Sequence, residues 1–246
     1  MNNGWNPPPR ELVLSPEFID VWRMPLNLRT AETDSMFATL SQEEQIRAGK
    51  IKSSTRKKQF VIGRGSMRML IGRYLDIDPA SFEFAYSAHQ KPLIPETSLG
   101  IPVTFNITHS HEMVLLALSL ERCIGVDIER IRDDVEFKKL ADRFFSRQET
   151  EVLENYDKSE LPAAFFACWT RKEAFVKALG DGISFGLSEF SVSVDPCASH
   201  VDLRINTELQ GSDTWSIMNV EVGGEYAAAV AASQGDFRVR LWAGDL

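Results

Sequence analysis

Along Cys123–Glu129 the chain reads CIGVDIE, in which Ile124, Val126 and Ile128 alternate with Cys123, Gly125, Asp127 and Glu129. A period of two belongs to a strand with one apolar face. FIDVWRM (18–24), FEFAYS (82–87), VTFNIT (103–108) and MVLLALSL (113–120) read as further strands, the last two a hairpin around the connection HSHE. Strands at 190–194, 215–222, 226–233 and 237–242 follow near the end, with Gly223-Gly224 as a hairpin turn between the second and third.

Other segments follow a helical period. Ser41-Gln-Glu-Glu44 is a capping box that starts a helix near Gln42. Phe60, Met67, Leu70, Ile71 and Tyr74 supply the apolar face of a helix over 55–74. Phe137, Leu140, Ala141, Phe144 and Phe145 recur at i, i+3, i+4, i+7 and i+8, and Ser146-Arg-Gln-Glu149 is a second capping box. A longer helix spans 163–179, with Pro162 in its first turn and Gly180 as its C-cap. SAHQKPLIP (87–95) is a polar loop. Helices plus an antiparallel hairpin recur in both halves, which predicts an α+β chain of two related lobes, 16–112 and 113–246. Before them, Pro7-Pro8-Pro9 marks residues 1–15 as an extended, mobile arm.

The 246 residues are 43% hydrophobic and 25% charged, ordinary values for a globular protein with an ample core. No apolar run reaches the length of a membrane span, and the N-terminus lacks the basic-then-apolar pattern of a secretory signal. Cys123, Cys168 and Cys197 are odd in number and widely spaced, so neither a disulfide framework nor a metal spacing is expected, and a reducing cytoplasm is the simplest setting. The net charge of −8 argues against nonspecific nucleic-acid binding by the whole molecule. Yet no Asp or Glu occurs from Gln45 to Leu75, a span holding nine of the 27 Lys and Arg. Such a patch on an acidic protein suits a phosphate-rich ligand or an acidic partner.

Two groups of side chains carry chemistry. Asp127 and Glu129 share a strand face, roughly 6–7 Å apart, where like charges repel. Either a divalent cation or a solvated edge would offset that. In WTRKEAFVKALG (169–180), Glu173 and Lys177 are i, i+4 neighbours, either a surface pair or part of the same site. Three carboxylates around one hard cation, with Lys177 and the basic stretch beside them, are the parts of phosphoryl-type chemistry.

GVDIE (125–129) followed by WTRKEAFVKALG resembles the paired signature of the 4′-phosphopantetheinyl transferases, with Asp127 and Glu173 46 residues apart. FNITHS (105–110), RFFSRQE (143–149) and Lys91-Pro92 are similar to further segments of that family, and the length suits its two-lobed surfactin-synthetase-activator type. The resemblance implies a fold of two pseudo-twofold-related lobes, each a small antiparallel sheet with packed helices. It implies transfer of the phosphopantetheine arm of coenzyme A to a serine of an apo acyl, polyketide or peptidyl carrier protein, and two lobes in one chain make a monomer sufficient. Adenosine 3′,5′-bisphosphate would be released. By the same resemblance Asp127, Glu129 and Glu173 are Mg²⁺ ligands, Glu173 the general base, and Lys177 the cation at the departing phosphate. Thr108 and His109 would contact coenzyme A phosphates, Lys91 and Pro92 the nucleotide end, with Lys58 and Arg64 chosen as further phosphate-binding cations. Gln90 stands where the family usually has Gly, and Thr108 where Ser is usual. The alternatives are a noncatalytic adaptor that binds coenzyme A or carrier proteins, and an RNA binder using the basic stretch.

Overall fold

A computed structural model describes residues 4–26, 30–86, 92–94, 102–180, 186–198, 200–205 and 214–244. The strands are β1 (Phe18–Pro25), β2 (Ala85–Tyr86), β3 (Pro92–Leu93), β4 (Val103–Ser110), β5 (Met113–Leu120), β6 (Ile124–Arg130), β7 (Phe190–Val192), β8 (Leu203–Ile205), β9 (Trp215–Asn219), β10 (Tyr226–Ser233) and β11 (Arg238–Ala243). The helices are α1 (Thr30–Ala38), α2 (Gln42–Lys50), α3 (Ser54–Leu75), α4 (Phe137–Phe144), α5 (Arg147–Leu153) and α6 (Leu161–Leu179). The first sheet has the order β11-β1-β5-β4 and the second β6-β10-β9; β2-β3 and β7-β8 are small two-stranded pairs.

The period-two pattern explains the layering. On β5, Leu116 and Leu118 face a core with Ile62 and Leu70 of α3, whereas Leu115 and Ala117 face the other way. There they meet Ile124, Val126 and Ile128 of β6 and Val230 of β10, so the two sheets pack against each other. The far face of the second sheet, Ala229 and Ala231, packs on Phe165 and Phe175 of α6. Four layers result: α1–α3, first sheet, second sheet, α4–α6. The α+β class is as expected.

Both capping boxes form, with Ser41 and Ser146 each accepting from, and Glu44 and Glu149 each answering at, the two ends of the box. Gly180 takes φ +79° at the end of α6, the left-handed conformation a C-cap glycine supplies. Helix α1 and strand β8 were not expected. Only Met36 of α1 is buried, too few apolar positions for a helical period; α1 is held by packing on α3, where a Cβ on Gly65 would lie 2.5 Å from Met36 Cβ. Among the described residues of the expected strand 82–87, only Ala85–Tyr86 pairs, against Pro92–Leu93. Residues 87–91 and 95 of the expected loop, Lys91 and Gln90 among them, lie outside the described residues.

Two expected boundaries meet a different geometry. The division at 112/113 falls inside one sheet, because β4 and β5 pair from Val103↔Leu120 to Ser110↔Met113. From the other end of the chain, β11 joins that sheet parallel to β1. Within the expected mobile arm, Trp5 is 1% exposed inside the inter-sheet core and donates its indole N–H to the Glu221 carbonyl, and Asn6 pairs with β11. Its aromatic area outweighs the extended character of the prolines that follow.

Candidate active site

Strand β6 and helix α6 touch at a glycine. A Cβ on Gly125 would collide with the Ala174 carbonyl oxygen and lie 2.5 Å from the Ala178 nitrogen, so only glycine allows this approach. Two residues on, Asp127 points to the same side of the strand, toward the last turns of α6. Lys177 Nζ donates to Asp127 Oδ1 at 2.6 Å and to the Val126 carbonyl at 3.3 Å. The Thr108 hydroxyl donates to the same Asp127 oxygen at 3.1 Å. Asp127 is 4% exposed, which excludes the solvated edge, and its Oδ2 is buried with no hydrogen-bond partner among the described residues.

Strand β4 lies beside β6 without sharing a ladder with it, and its side chains join the two sheets. Asn106 Oδ1 accepts from the Val126 N–H at 2.8 Å. Ser110 Oγ donates to Glu129 Oε2 at 2.9 Å and accepts from the Arg130 N–H at 3.0 Å. Thr108, expected at a coenzyme A phosphate, is 7% exposed and donates its hydroxyl to Asp127. His109, on the opposite face of β4, is exposed; desolvation by its surroundings and then the Lys177 charge push its pKa down.

The electrostatics bind Glu173 to this group. Burial, and then the charges of Asp127 and Glu129, push the Glu173 carboxyl above the usual glutamate range, against a pull from Lys177. Burial likewise raises Asp127, opposed by Lys177 and Thr108, and raises Glu129, opposed by the Ser110 hydrogen bond. Lys177 is thus not simply the surface partner of Glu173; among the described residues its shortest hydrogen bond is to Asp127. Among the described residues no group of three or more His, Cys, Asp or Glu stands in metal-holding geometry.

Adjoining this cluster is a cavity of about 430 Å³ whose wall includes Thr108, His109, Pro92, Phe60, Arg56 and Arg64. Thr108 is shared between the cavity and Asp127, so the two form one continuous site. Arg56, Phe60, Gly63, Arg64 and Met67 line it because they lie on one face of α3; Lys58, about 200° around the helix from Arg56, does not line it. The guanidinium of Arg64 sits 5.9, 6.0 and 5.7 Å from the ring centres of Phe60, Phe84 and Tyr86. Its Nη1 is 3.8 Å from Glu44 Oε1, too long for a hydrogen bond. A larger cavity, about 790 Å³, lies beside His200, Trp215 and Arg238 and shares no lining residue with this one.

One polar pair with a large structural effect was not assigned from the sequence. Lys172, 0% exposed, donates to both Glu149 oxygens and to the Phe190 carbonyl, each at 2.7 Å. Glu149 also accepts from the Ser146 and Val192 N–H groups. The signal was present, since Lys172 precedes Glu173 and Glu149 closes RFFSRQE, but only the fold shows that they meet.

A cavity lined by Arg56, Arg64 and His109, joined through Thr108 to the Asp127–Lys177 pair, suits an anionic, phosphate-bearing ligand. Residues 123–231 match the profile of the 4′-phosphopantetheinyl transferase superfamily, and residues 27–121 that of 4′-phosphopantetheinyl transferase, N-terminal. The chain is 31% identical over 242 residues to 4′-phosphopantetheinyl transferase HetI of Nostoc sp., covering 98% of this chain and 99% of that one. It is 30% identical over 211 residues to 4′-phosphopantetheinyl transferase Sfp of Bacillus subtilis, covering 85% and 89%. The solved Chronobacterium ammoniagenes ACPS–CoA complex aligns with a TM-score of 0.36 at 20% identity, covering 47% of this chain and 98% of that chain. This chain belongs to the 4′-phosphopantetheinyl transferase superfamily.

Proposed function

We propose that this protein transfers the 4′-phosphopantetheine arm of coenzyme A to a serine of an apo carrier protein. The serine oxygen bonds to the phosphorus that carries the pantetheine, the bridging P–O bond breaks, and adenosine 3′,5′-bisphosphate leaves. The observation that carries this reading is the convergence of Asp127 and Glu129 from β6 with Glu173 and Lys177 from α6, next to a cavity lined by Arg56, Arg64 and His109.

Glu173 is the base for the serine hydroxyl: burial and the neighbouring carboxylates raise its pKa, which makes it a stronger base than a solvated glutamate. Lys177, held by Asp127 with its side chain 30% exposed, stabilises negative charge on the departing phosphate. Arg56, Arg64 and His109 hold the phosphates of coenzyme A, and Pro92 borders the same cavity. Lys91, outside the described residues, keeps its expected role beside the nucleotide, and Lys58 acts from outside the cavity wall.

Magnesium is the cofactor this reading implies. The residues fit it by chemistry: an all-oxygen donor set, and in Asp127 Oδ2 a buried carboxylate oxygen without a hydrogen-bond partner among the described residues. Asp127, Glu129 and Glu173 would hold it. When bound, it supplies Lewis-acid neutralisation of pyrophosphate oxygens. One chain supplies every group named, so a monomer suffices, and three free cysteines suit a cytoplasmic setting. No helix among the described residues is long and apolar enough to cross a membrane.

The test is incubation of apo acyl, polyketide and peptidyl carriers with coenzyme A and Mg²⁺. A gain in carrier mass of one phosphopantetheine arm is expected, with Glu173→Gln slowing transfer by about 10²–10⁴. Coenzyme A binding without mass gain on any carrier would replace this reading with the adaptor. Wild-type turnover in Glu173→Gln would remove Glu173 from the chemistry.

A further inference from the structure

Strand β6 is an edge strand of its sheet, and an edge leaves alternate backbone N–H groups without a ladder partner. Here the side chains of a neighbouring strand take them. Asn106 accepts from the Val126 N–H, and Ser110 from the Arg130 N–H. Between these two positions Thr108 reaches past the backbone to the Asp127 carboxylate. The even positions of β4 thus serve the junction with β6, while Ile107 and His109, at odd positions, line the cavity together with Thr108. A single strand touches both the proposed coenzyme A pocket and the proposed ligand carboxylates.

Ser110 differs from Asn106 in making two bonds of opposite sense. Its oxygen accepts from the Arg130 N–H, which fixes the rotamer, and its only proton then goes to Glu129 Oε2. The residue is 9% exposed, so water does not readily take the place of either bond. Glu129 sits among like charges, Asp127 and Glu173, and is held against that repulsion by this hydroxyl. We propose that Ser110 is a positioning residue: bridging the Arg130 backbone and the Glu129 carboxylate, it aims Glu129 at the site and transmits the placement of β4 to it. Ser110 touches neither substrate nor reacting atoms in this scheme. The inference rests on the reading of Glu129 as a ligand for a divalent cation.

The experiment uses full-length protein with coenzyme A present and Mn²⁺ as the probe, its binding followed by loss of the free-ion electron paramagnetic resonance signal. Ser110→Ala should weaken Mn²⁺ binding about 10–100-fold, the range found when a partner that orients a metal ligand is removed. Transfer should lose kcat and need more Mg²⁺ for half-maximal rate, while KM for coenzyme A stays near the wild-type value. Ser110→Thr, which keeps the hydroxyl and suits a strand, should restore wild-type behaviour; a merely structural site would tolerate Ala as well as the bulkier Thr. In a Glu129→Gln background, Ser110→Ala should add nothing. Unchanged Mn²⁺ affinity in Ser110→Ala, no rescue by Thr, or full additivity with Glu129→Gln would each overturn the proposal. Wild-type protein that binds no Mn²⁺ would overturn it together with the magnesium reading. Wild-type protein that binds Mn²⁺ but moves no arm would overturn only the transferase reading, since the Mn²⁺ comparison tests Ser110 separately.

Discussion

Helix α6 carries two lysines five residues apart, and each meets a carboxylate from another element. Lys172 and Glu149 are closed off: side-chain exposures are 0% and 1%, all three ammonium bonds are made, and both carboxylate oxygens have further backbone donors. Lys177 and Asp127 are open: the Lys177 side chain is 30% exposed, Asp127 has an oxygen with no hydrogen-bond partner among the described residues, and two more carboxylates crowd them. The same pair of residue types therefore does two jobs. A satisfied buried network fixes where α6 lies against β7 and α5. An incompletely satisfied one keeps electrostatic demand for a ligand, which is where chemistry can be done.

The comparison can be broken most forcefully at the closed pair. Lys172→Met should lower unfolding free energy by about 3–5 kcal/mol, because Glu149 is left buried without its cation. Urea denaturation measures this, and a small change would mean that the closed pair is not a structural anchor. Asp127→Asn should behave oppositely. It removes a charge that burial disfavours, so stability should hold or rise, while transfer should fall by about a hundredfold or more in the carrier mass assay.

Gly125→Ala acts on both the fold and the open pair, since its methyl group pushes β6 off α6. A loss of about 1–3 kcal/mol is expected from overpacking, with a fall in turnover as Asp127 moves from Lys177. Unchanged turnover would uncouple that approach from the site.

The smallest effect is in pH. Asp127, Glu129 and Glu173 are all pushed up, so between their ordinary and raised values the folded chain holds more protons than the unfolded one. Stability is then fullest below the ordinary carboxylate range and falls as pH rises through the raised values. Melting temperatures in chelator should show that decline, and added Mg²⁺ should flatten it. The closed pair predicts no such dependence on Mg²⁺.

Local pattern made much of the molecule legible. Capping boxes at Ser41 and Ser146, the glycine cap at Gly180 and the alternation in CIGVDIE are short-range signals, and each produced the expected element. The residue types of the site were legible for a similar reason: carboxylates in an apolar strand and beside a lysine on a helix stand out from their surroundings. Helix α1 was not, because its helicity comes from packing on α3 and not from its own period. Which cations of the basic stretch line the cavity was not legible, because nothing in a run of cations says which helix face a pocket will use; Arg56 and Arg64 line it and Lys58 does not.

By itself the sequence determined the α+β class, the principal strands and helices, the family and the list of chemical groups, since these depend on neighbours a few positions apart. Tertiary structure alone decided which partners those groups take. It put β5 and β11 in one sheet, brought the Thr108 hydroxyl to Asp127, and closed Lys172 while leaving Lys177 open. The physical reason is that burial and hydrogen-bond satisfaction are set by residues distant in the chain, and these give chemically identical pairs different energies.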